Sequence, residues 1–125
     1  MLKVFIADDS DVLRGRVIDL LSELPNVKVI GQARNGVEAA SSVYILKPDV
    51  VILDIRMAEG NGISALKDIK QYDIAPVVIM FTNYPNSQYK KKCLENGADF
   101  FFDKSTEFED LIETCKNLAV ALETG

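Results

Sequence analysis

The chain alternates five times between short apolar runs and longer stretches in which apolar residues recur at helical spacing. The runs are Val4-Phe5-Ile6-Ala7, Val27-Lys28-Val29-Ile30, Val50-Val51-Ile52-Leu53, Val77-Val78-Ile79-Met80-Phe81 and Phe100-Phe101-Phe102. Runs of this kind, rich in β-branched and aromatic residues and bounded by turn signals, predict strands of a parallel sheet buried on both faces. Between the first two, Leu13, Val17, Leu20, Leu21 and Leu24 mark one face of a helix that Ser10 can cap. Gly15 weakens that helix, and Pro25-Asn26 ends it. An Asn35-Gly36 turn opens a second helix through Ala39, Ala40, Val43 and Leu46, which Lys47-Pro48 stops. A glycine-bearing loop, Ala58-Glu59-Gly60-Asn61-Gly62, leads into a third helix carrying Ile63, Leu66 and Ile69. Tyr89 and Cys93 share a face of the fourth, and Asn96-Gly97 supplies its C-terminal stop. Thr106 with Glu109 reads as a capping box for the fifth, whose stripe is Phe108, Leu111, Ile112, Cys115, Leu118 and Leu122.

Five strand–helix units with short loops predict an α/β fold: a single doubly wound five-stranded parallel sheet, one domain over residues 1–125. Lys28 and Asp99 break the apolar character of the second and fifth strands, which makes those two the edges. The order 2-1-3-4-5 follows, with a switch point between the first and third strands. Ligands bind such sheets at the carboxyl ends of the strands. Those ends hold Asp8 and Asp9, Asp54, Thr82 and Lys104, so three carboxylates meet at the crevice while Thr82 and Lys104 rim it.

Composition narrows the chemistry. Apolar residues make up 48% of the chain, enough for a packed core rather than disorder. The absence of histidine removes zinc hydrolases, Ser-His-Asp hydrolases and Cys-His proteases together. Cys93 and Cys115 lack metal-ligand spacing and read as buried free thiols of a reducing compartment. Met1-Leu2-Lys3 enters a strand directly, with no signal peptide and no membrane-length apolar run, so a soluble cytoplasmic protein with no membrane contact is expected. A net charge of −5 speaks against direct nucleic-acid binding, and Lys90-Lys91-Lys92 reads as a solvated helix face.

Three carboxylates in one crevice repel one another unless a cation joins them, and hard oxygen donors suit Mg2+ completed by a phosphate oxygen. Lys104 and Thr82 could meet further phosphoryl oxygens, and Asp54 could serve as a nucleophile that becomes an aspartyl phosphate. Taken singly, an aspartate after a strand is a cap, a lysine is solvated and a threonine is a turn residue. Their joint occurrence at four strand ends favours a site.

With these residues the whole chain resembles the receiver domain of bacterial two-component response regulators, a flavodoxin-like (βα)5 fold. The resemblance implies that Asp8 and Asp9 are the metal-binding pair and that Asp54 is both phosphoacceptor and metal ligand. It implies that the backbone carbonyl of Arg56 completes the protein ligands. Thr82 and Lys104 would assist catalytically, and Thr82 and Phe101 would be the switch pair. The implied partners are a sensor histidine kinase or phosphotransfer protein and a downstream effector or output domain, and the implied role is regulatory rather than enzymatic.

Four positions depart from the family pattern. Ala58 replaces a usual proline, Asn83 is bulkier than the usual small residue and would crowd the approach to the phosphoryl group, and Phe101 lacks a tyrosine hydroxyl. Ser105 stands where a cis proline is typical, which predicts either a trans bond in a reshaped loop or strain. Arg56 and Tyr84, each two residues past a site residue, are expected to flank the phosphoryl group and shield it from water, against a plain reading as solvent-facing loop residues. Two other functions compete. One is a phosphorylation-independent adaptor with the same fold. The other is a haloacid-dehalogenase-type phosphatase, for which Asp9-Ser10-Asp11-Val12 fits the opening motif but no later acidic pair follows a strand. The chain ends just after the fifth helix, which fits either a stand-alone receiver or a piece of a longer regulator, and a homodimer through the fourth and fifth helices stays open.

Overall fold

The computed structural model describes residues 1–57 and 61–124. Ala58, with its departure from the family pattern, lies outside them. Five strands, β1 (Leu2–Ala7), β2 (Val27–Ala33), β3 (Val50–Leu53), β4 (Val77–Thr82) and β5 (Phe100–Asp103), alternate with α1 (Asp11–Ser22), α2 (Gly36–Leu46), α3 (Gly62–Ile69), α4 (Ser87–Glu95) and α5 (Phe108–Thr124). All pairings are parallel and the order is β2-β1-β3-β4-β5, as the edge argument predicts.

Strand alternation sorts the core into two layers. Phe5, Val51, Leu53, Val78 and Met80 face α2, α3 and α4 and pack with Val43, Leu66, Ile69 and Cys93. Val4, Ile6, Ile52, Ile79 and Phe81 face α1 and α5 and pack with Val17, Leu21, Leu111 and Cys115. One cysteine lies in each layer, both as free thiols, and burial pushes Cys93 up to about 11 and Cys115 to about 12.

Helix ends follow local chemistry. Ser10, Asn35, Asn61 and Asn86 each accept a hydrogen bond from the backbone N–H three residues on, capping α1 to α4. Lys47 closes α2 in the left-handed region at φ 50, and Gly97 follows α4 at φ 98.

Three expectations need correction. β2 does not stop at Ile30: the register shifts between Val4 and Phe5 of β1, Ile30 bulges out unpaired on β2, and the ladder resumes at Gly31 and runs to Ala33. The start of α5 is organised by Asp103 rather than by a Thr106–Glu109 box. The Glu107 N–H donates to the Asp103 carbonyl, the Asp103 N–H donates to Glu107 Oε1, and Asp103 Oδ1 accepts from the backbone and hydroxyl of Ser105. Leu122, placed on the buried stripe of α5, is 47% exposed because the sheet ends before the last helical turns.

Candidate functional site

Asp8, Asp54 and Lys104 each sit just past a strand and are held by one more rung of the ladder. The Asp8 N–H donates to the Ala33 carbonyl at 3.0 Å, the Asp54 N–H to the Ala7 carbonyl at 3.1 Å, and the Lys104 N–H to the Thr82 carbonyl at 2.9 Å. The backbone of the site therefore inherits the rigidity of the sheet. This is the structural reason strand ends make precise sites.

The side chains converge. Asp8, Asp9 and Asp54 each offer a carboxylate oxygen, all within 4.8 Å of one another. Asp8 and Asp54 are buried, at 2% and 5% exposure, whereas Asp9 is exposed. Lys104 Nζ bridges the two buried carboxylates, 2.5 Å from Asp8 Oδ2 and 2.9 Å from Asp54 Oδ2. Asp8 Oδ1 accepts from the Ser10 N–H, and Asp54 Oδ1 from the Ile55 N–H. Burial pushes the Asp54 carboxyl above its ordinary value and outweighs the opposing pull of Lys104, with the Asp8 charge adding to the rise. Burial likewise works against the Lys104 ammonium, but its contacts with Asp8 and Asp54 together prevail and raise its pKa. One ammonium among three carboxylates leaves a surplus of negative charge in a poorly solvated place. An all-oxygen donor set with that surplus fits a hard divalent cation such as Mg2+.

Thr82 and Lys104 do not rim the crevice. Thr82 is fully buried, and its Oγ1 accepts a hydrogen bond from the Tyr84 N–H at 3.0 Å. The Lys104 side chain keeps only 7% of its surface. Phe101 is half-buried in β5 opposite Met80 and packs on the α2–α3–α4 side of the sheet. The Lys104–Ser105 bond is trans, in a loop shaped by the Asp103–Ser105 hydrogen bonds. Asn83 is exposed.

Arg56 and Tyr84 come together beyond the ends of β3 and β4. The Arg56 guanidinium lies 4.2 Å from the Tyr84 ring centroid and reaches the Tyr89 hydroxyl at 3.4 Å. These contacts join the β3–α3 and β4–α4 loops. Asp11, the second aspartate of the phosphatase-like motif, turns elsewhere, to Arg14 at 2.5 Å and Arg34 at 3.5 Å.

Two residues that shape the site carry no obvious sequence signal. A Cβ on Gly62 would lie 1.8 Å from the Asp54 carbonyl oxygen, so α3 can start against the Asp54 backbone only with glycine there. Arg14 is buried and donates to the Asp8 carbonyl at 2.6 Å. Its i,i+3 spacing from Asp11 looks like an ordinary surface pair. A groove of about 620 Å³ beside Tyr44, Lys47 and Tyr72 lies at the opposite ends of the strands, away from this chemistry.

Comparison with known proteins agrees with the geometry. The family model described as response regulator receiver domain matches residues 4–116. A protein-glutamate methylesterase/protein-glutamine glutaminase of Idiomarina loihiensis is 40% identical over 112 residues, covering 88% of this chain and 28% of that protein. The response regulator domain of Thermotoga maritima CheB superposes with a TM-score of 0.84 at 31% identity, covering 97% of this chain and 95% of that one. A CheX-CheY-BeF3-Mg2+ complex from Borrelia burgdorferi gives a TM-score of 0.77 at 27% identity, covering 90% and 88%. The chain spans 28 to 34% of the length of the curated relatives it matches.

Proposed function

The chain belongs to the response regulator receiver domain family, and from that membership we propose that it is a phospho-accepting switch charged at Asp54. The observation that carries the reading is the buried Asp8–Lys104–Asp54 contact beside an exposed Asp9. That arrangement holds a nucleophile, an ammonium and further hard oxygen donors at one point. The donor would be a sensor histidine kinase or a phosphotransfer protein. An Asp54 carboxylate oxygen attacks phosphorus, the bond from phosphorus to the donor nitrogen breaks, and that nitrogen keeps the electron pair. Mg2+ held by Asp8, Asp9, Asp54 and the Arg56 carbonyl would neutralise one phosphoryl oxygen. Lys104 stays on the Asp54 side and meets a second.

Thr82 supplies the switch. Its hydroxyl oxygen now accepts from the Tyr84 N–H, and rotation to donate to a phosphoryl oxygen would weaken or release that contact. That loosens the β4–α4 loop, where Tyr84 lies against Arg56, and leaves Phe101 free to repack. The face made by α4, β5 and α5 then changes its affinity for an effector or an output domain by population shift. Methylesterase activity of the kind named for the curated relatives would belong to the part of those proteins that this chain does not span. On this reading the switch works in the cytoplasm, with residues 1–125 as one receiver domain.

Incubation with acetyl phosphate and Mg2+ followed by intact-mass measurement tests the reading. A single phosphoryl adduct, absent in Asp54→Asn and absent without Mg2+, is expected. No adduct with any small-molecule or histidine-borne donor would overturn it in favour of an adaptor that works without phosphorylation. Turnover of a phosphate ester would favour the phosphatase.

A further inference from the structure

Four polar or charged residues are buried among the described residues: Asp8, Asp54, Thr82 and Arg14. The first three have parts in the proposed phosphoryl site, whereas Arg14 has none. Burying a guanidinium is costly unless its charge and donors are matched. Here each of the three guanidinium nitrogens has an acceptor. Nε donates to Gln32 Oε1 at 2.7 Å, Nη2 to Asp11 Oδ1 at 2.5 Å, and Nη1 to the Asp8 carbonyl at 2.6 Å.

Because Asp11 balances the guanidinium charge, Arg14 does little to neutralise the acidic cluster. Its effect is geometric. The Asp8 carbonyl belongs to the peptide that joins Asp8 to Asp9, so the Nη1 contact fixes the plane of that peptide. The preceding peptide is fixed by the Asp8 N–H on the Ala33 carbonyl, and the Asp8 side chain by the Ser10 N–H and Lys104. Asp9 is exposed and outside the sheet ladder, so the direction of its carboxylate depends on the plane that Arg14 holds. We propose that Arg14, in the first turn of α1 and braced by Gln32 of β2, is the positioning residue that aims Asp9 at the metal. The inference rests on the Mg2+ reading of the acidic cluster given above. Arg14 touches neither metal nor phosphoryl group and acts only through the backbone of Asp8.

Mg2+ titration by calorimetry on the full chain tests this, with Arg14→Met, Arg14→Lys and Gln32→Met beside the wild type. Groups that orient metal ligands typically contribute about 10-fold or more to affinity, so Arg14→Met should weaken Mg2+ binding by about that factor. Lysine can satisfy one of three acceptors and should fall between. Gln32→Met, which removes only the brace, should weaken it least. The half-saturating Mg2+ concentration for phosphorylation by acetyl phosphate should rise in parallel, while the rate at saturating Mg2+ is kept. Thermal unfolding with and without Mg2+ separates positioning from support: a merely structural arginine lowers Tm but leaves the Mg2+-induced gain intact, whereas a positioning one shrinks that gain. Wild-type affinity in Arg14→Met overturns the inference. If that variant does not fold, wild-type affinity in Gln32→Met overturns it. Failure of the wild type itself to bind Mg2+ would overturn the metal reading instead.

Discussion

Lys70 and Lys104 each meet an aspartate beside a strand end, at 2.7 Å and 2.9 Å, but their surroundings differ in kind. Lys70 closes a balanced arrangement: its Nζ donates to Asp99 Oδ2 and the Pro76 carbonyl, and Asp99 Oδ2 also accepts from the Val78 N–H. One cation meets one carboxylate, the side chains keep 20% and 40% of their surface, and the α3–β4 connection is tied to β5. The Lys104 side chain, 7% exposed, lies between two carboxylates with a third nearby, and the arrangement stays short of positive charge. The first pair serves folding. The second holds unfavourable charge in place, as a site that must accept a cation and a phosphoryl group requires.

The largest test of this contrast is Gly62→Ala, because an added Cβ collides with the Asp54 backbone itself rather than with a flexible side chain. We expect a loss of about 3 kcal/mol or more in chemical denaturation together with loss of phosphorylation. Next come the two lysines. Lys104→Met leaves buried carboxylates uncompensated and should cost about 3 kcal/mol in Mg2+-free buffer, with part recovered by Mg2+. Lys70→Met should cost about 1 kcal/mol, and Mg2+ should make no difference to it. Equal Mg2+ responses from the two variants would remove the distinction.

Asp54→Asn goes the other way and should stabilise the Mg2+-free protein by about 1 kcal/mol, because burial already disfavours the carboxylate. The sign has a pH signature. The folded pKa of Asp54 is raised above 3.8, so its charge penalises folding above that raised value, and the penalty fades as pH falls through it. The stability gap between Asp54→Asn and wild type should therefore narrow on acidification toward the ordinary carboxylate range. A gap independent of pH would contradict this. The smallest effect is expected beyond the ends of β3 and β4: Arg56→Ala or Tyr84→Ala should shorten the lifetime of the phosphorylated form severalfold by admitting water, and unchanged lifetimes would leave their stacking without a shielding role.

Local patterns carried much of this molecule. Apolar runs ending in Asp8, Asp54, Thr82 and just before Lys104 reveal buried parallel strands and their carboxyl ends. Lys28 does lie in the edge strand β2, but Asp99 sits just before β5 and the central strand β1 carries Lys3 near its start, so charge marks the edges only in part even though the order agrees. Ser10 declares the start of α1 through a hydrogen bond that spans three residues, and Asn35, Asn61 and Asn86, which the sequence presents as turn and loop residues, cap α2, α3 and α4 in the same way. All of these are short-range facts, decided by periodicity and by a cap's own side chain.

What the sequence left open depends on contacts between distant segments. Whether Lys104 reaches Asp54, fifty residues away, and Asp8 at once is settled by the sheet order, which sets β5 beside β4 with β3 and then β1 next in line. The burial of Thr82, the continuation of β2 through its bulge and the Asp103 cap of α5 likewise arise from neighbours in space. Arg14 looks like a surface residue until β2 brings Gln32 against it, and Gly62 looks like loop glycine until α3 meets the Asp54 carbonyl. The sequence by itself determined the elements, their order and the residues at the strand ends, since hydrophobic periodicity and caps are local. Only the tertiary structure decided how those residues share charge, because Coulomb interaction and burial depend on distance and on what excludes the water.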